Sequence, residues 1–225
     1  MKRFYSEVTT REQAGGWQVT LDGRGLKTVK GTPQIVPNAT MAKVLASEWD
    51  SQSEDLDPKS FPLRDMADYA IDVVGPDAMA VIEKMITYGD TDTLLYRADP
   101  DEPLFTRQQA VWEPIVTKFE ARENVELIRV SGIIHRSQSE TVLAELRERL
   151  ILHNSFALAA IEAMTSLSAS LVIGLTTSIA ANQSDAIGLW RAACLEEEWQ
   201  AARPVSYTHL RAHETSLHLV CRLLL

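Results

Sequence analysis

The sequence predicts an α+β protein, a small β-rich N-terminal domain followed by a multihelical C-terminal domain. Three observations carry this expectation. Short β-rich runs separated by turn residues occupy the first 36 positions, the apolar period becomes helical from Pro37 onward, and residues 163–184 form an uncharged stretch suited to a buried helix. The 225 residues suffice for one large domain or two small ones. We place the domains at residues 1–60 and 61–203, with 204–225 as a separate tail.

Arg3–Thr9 and Trp17–Leu21 are rich in β-formers, and Asp22-Gly23 is a hairpin turn signal leading into Leu26–Val29. Gly31-Thr32-Pro33 turns the chain before Ile35-Val36. Such a meander needs a covering element, because a few strands alone are marginal in water. Asn38 can cap a helix carrying Met41, Val44, Leu45 and Trp49. Pro62 suits a first helical position and is followed by a stripe of Leu63, Met66, Ala67, Ala70, Ile71 and Val74, closed by Gly75-Pro76.

Met79, Ile82, Met85 and Ile86 give the next helical face, and Thr106–Glu123 a further helix interrupted by Pro114. Val125–Val130 reads as a short strand or an apolar connector. Ser137 with Glu140 has capping-box spacing and opens a helix with Val142, Leu146 and Leu150. The uncharged stretch follows, and a last helix is expected over Ser184–Arg203. Ten residues of 163–184 are Ser, Thr, Asn or Gln, which places it below the hydropathy of a membrane-spanning helix.

Composition narrows the function. Apolar residues make up 45% and charged residues 24%, as in a globular chain, and the net charge is −9. That acidity argues against a phosphate-neutralising surface, so we expect no nucleic-acid partner. Cys194 and Cys221 do not make a disulfide framework or a metal-ligand pattern. Residues 1–20 lack the pattern of a signal peptide or a mitochondrial presequence.

The tail, PVSYTHLRAHETSLHLVCRLLL at 204–225, breaks with what precedes it and holds three of the five histidines. Val205–Thr215 resembles one reading frame of a transposon-type sequencing adaptor, and His218–Leu225 resembles the far end of the same adaptor. We therefore set it aside from fold reasoning and expect the natural C-terminus to be missing after about Arg203. A His-rich metal tract or an amphipathic terminal helix is the competing reading.

Several patterns invite a chemical reading. Asp90 and Asp92, within GDTDTLLYRAD, are the residue type that a hard cation takes. Helix capping by Asp92 competes, with Tyr96 and Arg97 as polar partners. Gly25-Leu26-Lys27-Thr28 misplaces the lysine of a phosphate loop and leads into a strand, so its glycines read as turn residues. His135 and His153 have no partner at a recognisable catalytic or zinc spacing. An enzyme reading would be a small metal- or nucleotide-dependent catalyst built on Asp90, Asp92 and His135. In Glu196-Glu197-Glu198-Trp199-Gln200, helical spacing puts Glu196 beside Trp199 and Gln200. On a helix surface, Glu196→Lys is expected to leave the fold intact.

Blocks along the chain resemble one family. They are Lys2-Arg3-Phe4-Tyr5, Gly16-Trp17-Gln18-Val19, Leu21–Thr28 (LDGRGLKT), Glu48-Trp49-Asp50, Phe61-Pro62-Leu63 and Ala70-Ile71-Asp72. Further on come Thr91–Arg97 (TDTLLYR), Gln108, Trp112-Glu113-Pro114, Gly132-Ile133 and Leu195–Gln200 (LEEEWQ). The set is similar to the ATP-twelve family, assembly chaperones that hold the alpha subunit of the F-type ATP synthase head. The resemblance implies a non-enzymatic, cofactor-free holdase, monomeric when free. It would bind the unassembled alpha subunit until the beta subunit replaces it. It implies contact residues Glu196, Glu197, Trp199 and Gln200, with Glu196 the critical acid. It also implies a bacterial cytoplasm, or the mitochondrial matrix in eukaryotic relatives. Members usually continue through a Trp-Gly and an acidic segment after LEEEWQ, and this chain departs from that pattern.

Overall fold

The computed structural model describes residues 2–132 and 134–202, so the expectations for the 204–225 tail lie outside the described residues. Of the described residues 58% are helix and 12% strand, and the chain divides into two compact units, one up to Ala78 and one from Met79 onward.

In the first unit, β2 (Gly16–Leu21) pairs antiparallel with β1 (Val8–Gln13), β3 (Arg24–Gly25) and β4 (Ile35–Val36). The register Gln13↔Gly16 and Leu21↔Arg24 leaves two-residue turns at Ala14-Gly15 and Asp22-Gly23. Asp22 (φ 47°) and Gly23 (φ 77°) both take positive φ, as a type I′ turn requires. The Asp22 carboxylate accepts Ser6 N–H (3.0 Å) and Glu7 N–H (2.8 Å), which ties the turn to the chain entering β1. At Gly16 a Cβ would collide with the Val36 carbonyl, so glycine permits β4 to close on β2. The first ladder lies later than Arg3–Thr9, because the turn at Ala14-Gly15 sets the register. Only Arg24–Gly25, not Leu26–Val29, pairs as a strand, and Val29 is 88% exposed.

Helix α1 (Ala39–Asp50) supplies the covering element and buries Ala42, Leu45 and Trp49, facing β1 and β2. Asn38 Oδ1 accepts the Met41 N–H at 2.8 Å, the expected cap. Helix α2 (Pro62–Tyr69) starts at Pro62 and runs into a π turn over Ala70–Val74. Its stripe buries Leu63, Ala67, Ala70 and Val74. Phe61, at the N-cap, has no side-chain oxygen to cap α2, and the Glu48 carboxylate replaces it by accepting Leu63 N–H (2.8 Å) and Arg64 N–H (2.9 Å). Asp68 accepts Gln34 Nε2–H (2.6 Å) and Val29 N–H (3.1 Å). These bonds fasten 61–78 to the strands, and the first compact unit runs to Ala78.

The second unit begins in α3 (Ala78–Asp90), which buries Val81, Ile82, Met85 and Ile86, while Met79 is exposed. A 3-10 turn at Thr93–Leu95 leads into β5 (Tyr96–Arg97), which pairs parallel with β6 (Val130–Ser131). The rest of 125–130 is connector. Helix α4 (Pro103–Glu123) continues through Pro114. The loss of one backbone donor is outweighed because Gln108, Trp112, Val116 and Phe119 bury one face on both sides of the proline. Helix α5 (Glu140–Ile151) is capped by Ser139, whose Oγ accepts Val142 N–H at 3.2 Å. Ser137 is not the cap, and its Oγ shares a hydrogen bond with His135 Nε2 instead (3.1 Å).

The uncharged stretch is not one helix. Helix α6 (Ser155–Ser168) stops at Ala169 (φ 48°), α7 (Leu171–Thr177) folds back, and a new helix starts at Gln183. At Gly174 a Cβ would strike Thr165 Oγ1, so glycine lets α7 lie against α6. Among the described residues no helix is long and apolar enough to cross a membrane. The expected last helix is also two, α8 (Gln183–Ala193) and α9 (Leu195–Ala201), broken at Cys194.

Candidate functional site

The site forms where α8 gives way to α9, and α4 holds that junction in place. Gln108 and Trp112 lie four residues apart and therefore on one face of α4. Trp112 Nε1–H donates to Ala192 O (2.6 Å), a carbonyl in the last turn of α8, and Gln108 Nε2–H donates to Glu196 Oε1 (2.6 Å). Gln108 is fully buried, and its own Oε1 accepts Ala98 N–H at 2.8 Å. Glu196 is thus half-buried and anchored. Burial pushes its pKa up, partly offset by the Gln108 bond. A lysine at this position would aim an ammonium at the Gln108 amide donor rather than at water.

Across from this junction lies the α6–α7 corner. Ala169, in the left-handed region that residues other than glycine occupy at some strain, has its carbonyl held by Thr93 N–H (3.1 Å) and Thr93 Oγ1–H (3.0 Å). Next to it, the Asp92 carboxylate is fully buried and accepts Leu94 N–H (3.0 Å) and Val172 N–H (2.9 Å). Burial pushes Asp92 up to about 6, offset in part by those donors. Between corner and junction is a cavity of about 170 Å³, lined by Thr93, Leu167, Ser168, Ala169, Trp190, Ala193, Cys194, Glu196 and Glu197. Burial above all, with smaller pushes from Glu197 and Glu198, raises the Cys194 thiol to about 11.

Of the four contact residues expected from sequence, Glu196 and Glu197 meet at this cavity. Half-buried Trp199 and exposed Gln200 continue α9 without lining it. Trp190, from the preceding helix, forms the aromatic wall instead. Gln108 appeared in the resemblance without a role, and no local pattern links it to a residue 88 positions away.

The residues of the enzyme reading do not converge. Asp90 and His135 approach each other (Oδ2–Nε2 3.5 Å), and Tyr96 stacks on His135 with its Oη 2.7 Å from Nδ1. Asp90 Oδ1 accepts Gln138 N–H (2.7 Å), so that carboxylate also caps a connector. Asp92 stands apart, with both oxygens engaged by backbone donors. Among the described residues no three His, Cys, Asp or Glu side chains gather as metal ligands would. Arg97 is not a partner of Asp92 either. It is buried over Trp112 and pairs with Glu113 (3.1 Å), which also holds Arg129 (2.7 Å). Burial raises the Glu113 pKa, but the two guanidiniums outweigh it and hold the carboxyl below the usual range.

The described residues define a two-unit α+β protein with an acidic, cavity-flanking helix, α9, in its helical unit. A family model for the ATP12 chaperone protein matches residues 2–120, and the chain belongs to that family. It is 29% identical over 184 residues, 76% of this chain, to the mitochondrial protein atp12 of Schizosaccharomyces pombe. The chain spans 63% of the length of that relative. Among solved structures it is similar to Atp12 from Paracoccus denitrificans, with 30% identity, 99% of this chain and 92% of that chain covered, and a TM-score of 0.84. A protein from Agrobacterium tumefaciens gives 30% identity, coverage of 99% and 83%, and a TM-score of 0.90.

Proposed function

We propose that this chain is an assembly chaperone of the F-type ATP synthase, a holdase for the unassembled alpha subunit. The observation that carries this reading is the likeness to Atp12 over 99% of the chain at 30% identity, both units included. By mass action, a protein that covers the apolar face of an orphan subunit lowers the concentration of the aggregating species. The beta subunit then displaces it by occupying the same face. We assign the contact to Glu196, Glu197, Trp199 and Gln200, which the acidic helix α9 carries. No chemical step is required of it, and a bacterial cytoplasm is the setting we assign.

Isolated alpha subunit should aggregate alone, stay in solution with about one equivalent of this chain, and be released when beta subunit is added. Light scattering and co-purification read both stages. A chain folded by circular dichroism that neither retains alpha subunit nor delays its aggregation would overturn the reading.

A further inference from the structure

The cavity between the α6–α7 corner and the α8–α9 junction is small. Its volume of about 170 Å³ lies below the roughly 300–1,000 Å³ of small-molecule sites, so it is sized for a side chain rather than a metabolite. Its lining is mixed: Leu167, Trp190 and Ala193 supply apolar surface, Thr93 and Ser168 are neutral and polar, and Glu196 and Glu197 are its acidic residues. Gln108 occupies Glu196 Oε1. Among the described residues no donor reaches Glu196 Oε2, and no lysine or arginine pairs with Glu196.

We propose that this cavity receives one cationic side chain, arginine or lysine, from the alpha subunit. The alkyl stem would lie along Trp190, Leu167 and Ala193, and the charged head against Glu196. This deepens the chaperone reading and rests on it. Long cationic side chains suit such a site because their stems cover apolar surface while the heads stay polar. Charge complementarity selects this occupant. An apolar side chain would strip water from a half-buried carboxylate and return nothing, and a neutral donor would return only a hydrogen bond, whereas a cation adds charge attraction in a medium that screens poorly.

Alpha-subunit binding is measured for the unaltered chain and for Glu196→Gln and Ala193→Met, each checked by circular dichroism. Glu196→Gln keeps an acceptor for Gln108 and removes only the charge. Binding should weaken about thirtyfold, as for loss of one partner of a desolvated charge pair. Ala193→Met fills the cavity without altering charge and should weaken binding at least tenfold. Undiminished or tighter binding by Glu196→Gln would mean a neutral occupant and overturn the proposal. Undiminished binding by Ala193→Met would mean that nothing enters the cavity, with the same consequence. If the unaltered, folded chain binds no alpha subunit, the chaperone reading itself fails, an outcome distinct from the other two.

Discussion

In the first unit the buried polar contacts act over short stretches of chain. Glu48 caps a helix 15 residues on, Gln34 meets Asp68 at a separation of 34, and Tyr5 donates to the Trp49 carbonyl at 44. In the second unit the longest such contacts reach almost twice as far, beside local ones such as Arg97 with Glu113. Asp92 and Val172, like Trp112 and Ala192, are 80 residues apart, and Gln108 and Glu196 are 88. Charge divides unequally too. Nine cationic side chains face 12 acidic ones in residues 1–78, and 10 face 18 in residues 79–202. The lesson is that the β-rich unit is held by turns and caps close in sequence. The helical unit depends on a few buried groups that act only after long loops have closed.

The sharpest way to break that contrast is Asp92→Ala. It leaves the Leu94 and Val172 N–H groups without their acceptors in a fully buried place. A loss of about 3 kcal/mol is expected in urea unfolding followed by far-ultraviolet circular dichroism. An effect no larger than that of a surface substitution would show that the long-range contacts do not govern the helical unit. In the first unit, Glu48→Ala uncaps α2 at Leu63 and Arg64 and should cost about 1.5 kcal/mol by the same measurement. Gly23→Val forces a β-branched residue to φ near 77° and should cost roughly 1 kcal/mol, with the unfolding slope unchanged. A neutral Gly23→Val would mean that the turn is not needed to set the hairpin register.

The last effect is one of pH. Asp92 titrates near 6 in the folded chain, above its ordinary 3.8. Between those values the folded protein binds a proton that the unfolded chain does not, so stability from this group rises as pH falls through 6. Wild type should therefore gain on Asp92→Asn between pH 7 and pH 5, and the difference should level off below about pH 4. Paired urea titrations at each pH read it. A difference that does not change with pH would place the Asp92 carboxyl in its ordinary range.

Sequence by itself determined the elements whose cause is local. Asp22-Gly23 specifies its turn because positive φ is needed at both positions, Asn38 starts α1 because its oxygen reaches the Met41 amide, and Pro62 starts α2 where no donor is needed. It also set out the acidic LEEEWQ block and, through blocks spread along the chain, the family. Tertiary structure decided what depends on residues far apart. Local spacing favoured Ser137 as a cap, yet Ser139 caps α5 while Ser137 turns to His135. Periodicity favoured single helices over 163–184 and 184–203, yet a left-handed residue at Ala169 and a break at Cys194 divide them. Glu196 is legible as an acid on a helix, but its burial, its bond to Gln108 and the cavity beside it are not. Those come from α4, α6 and the turn at Thr93 converging on α9, and a chain pattern of period 2 or 3.6 carries no record of a partner 88 residues away.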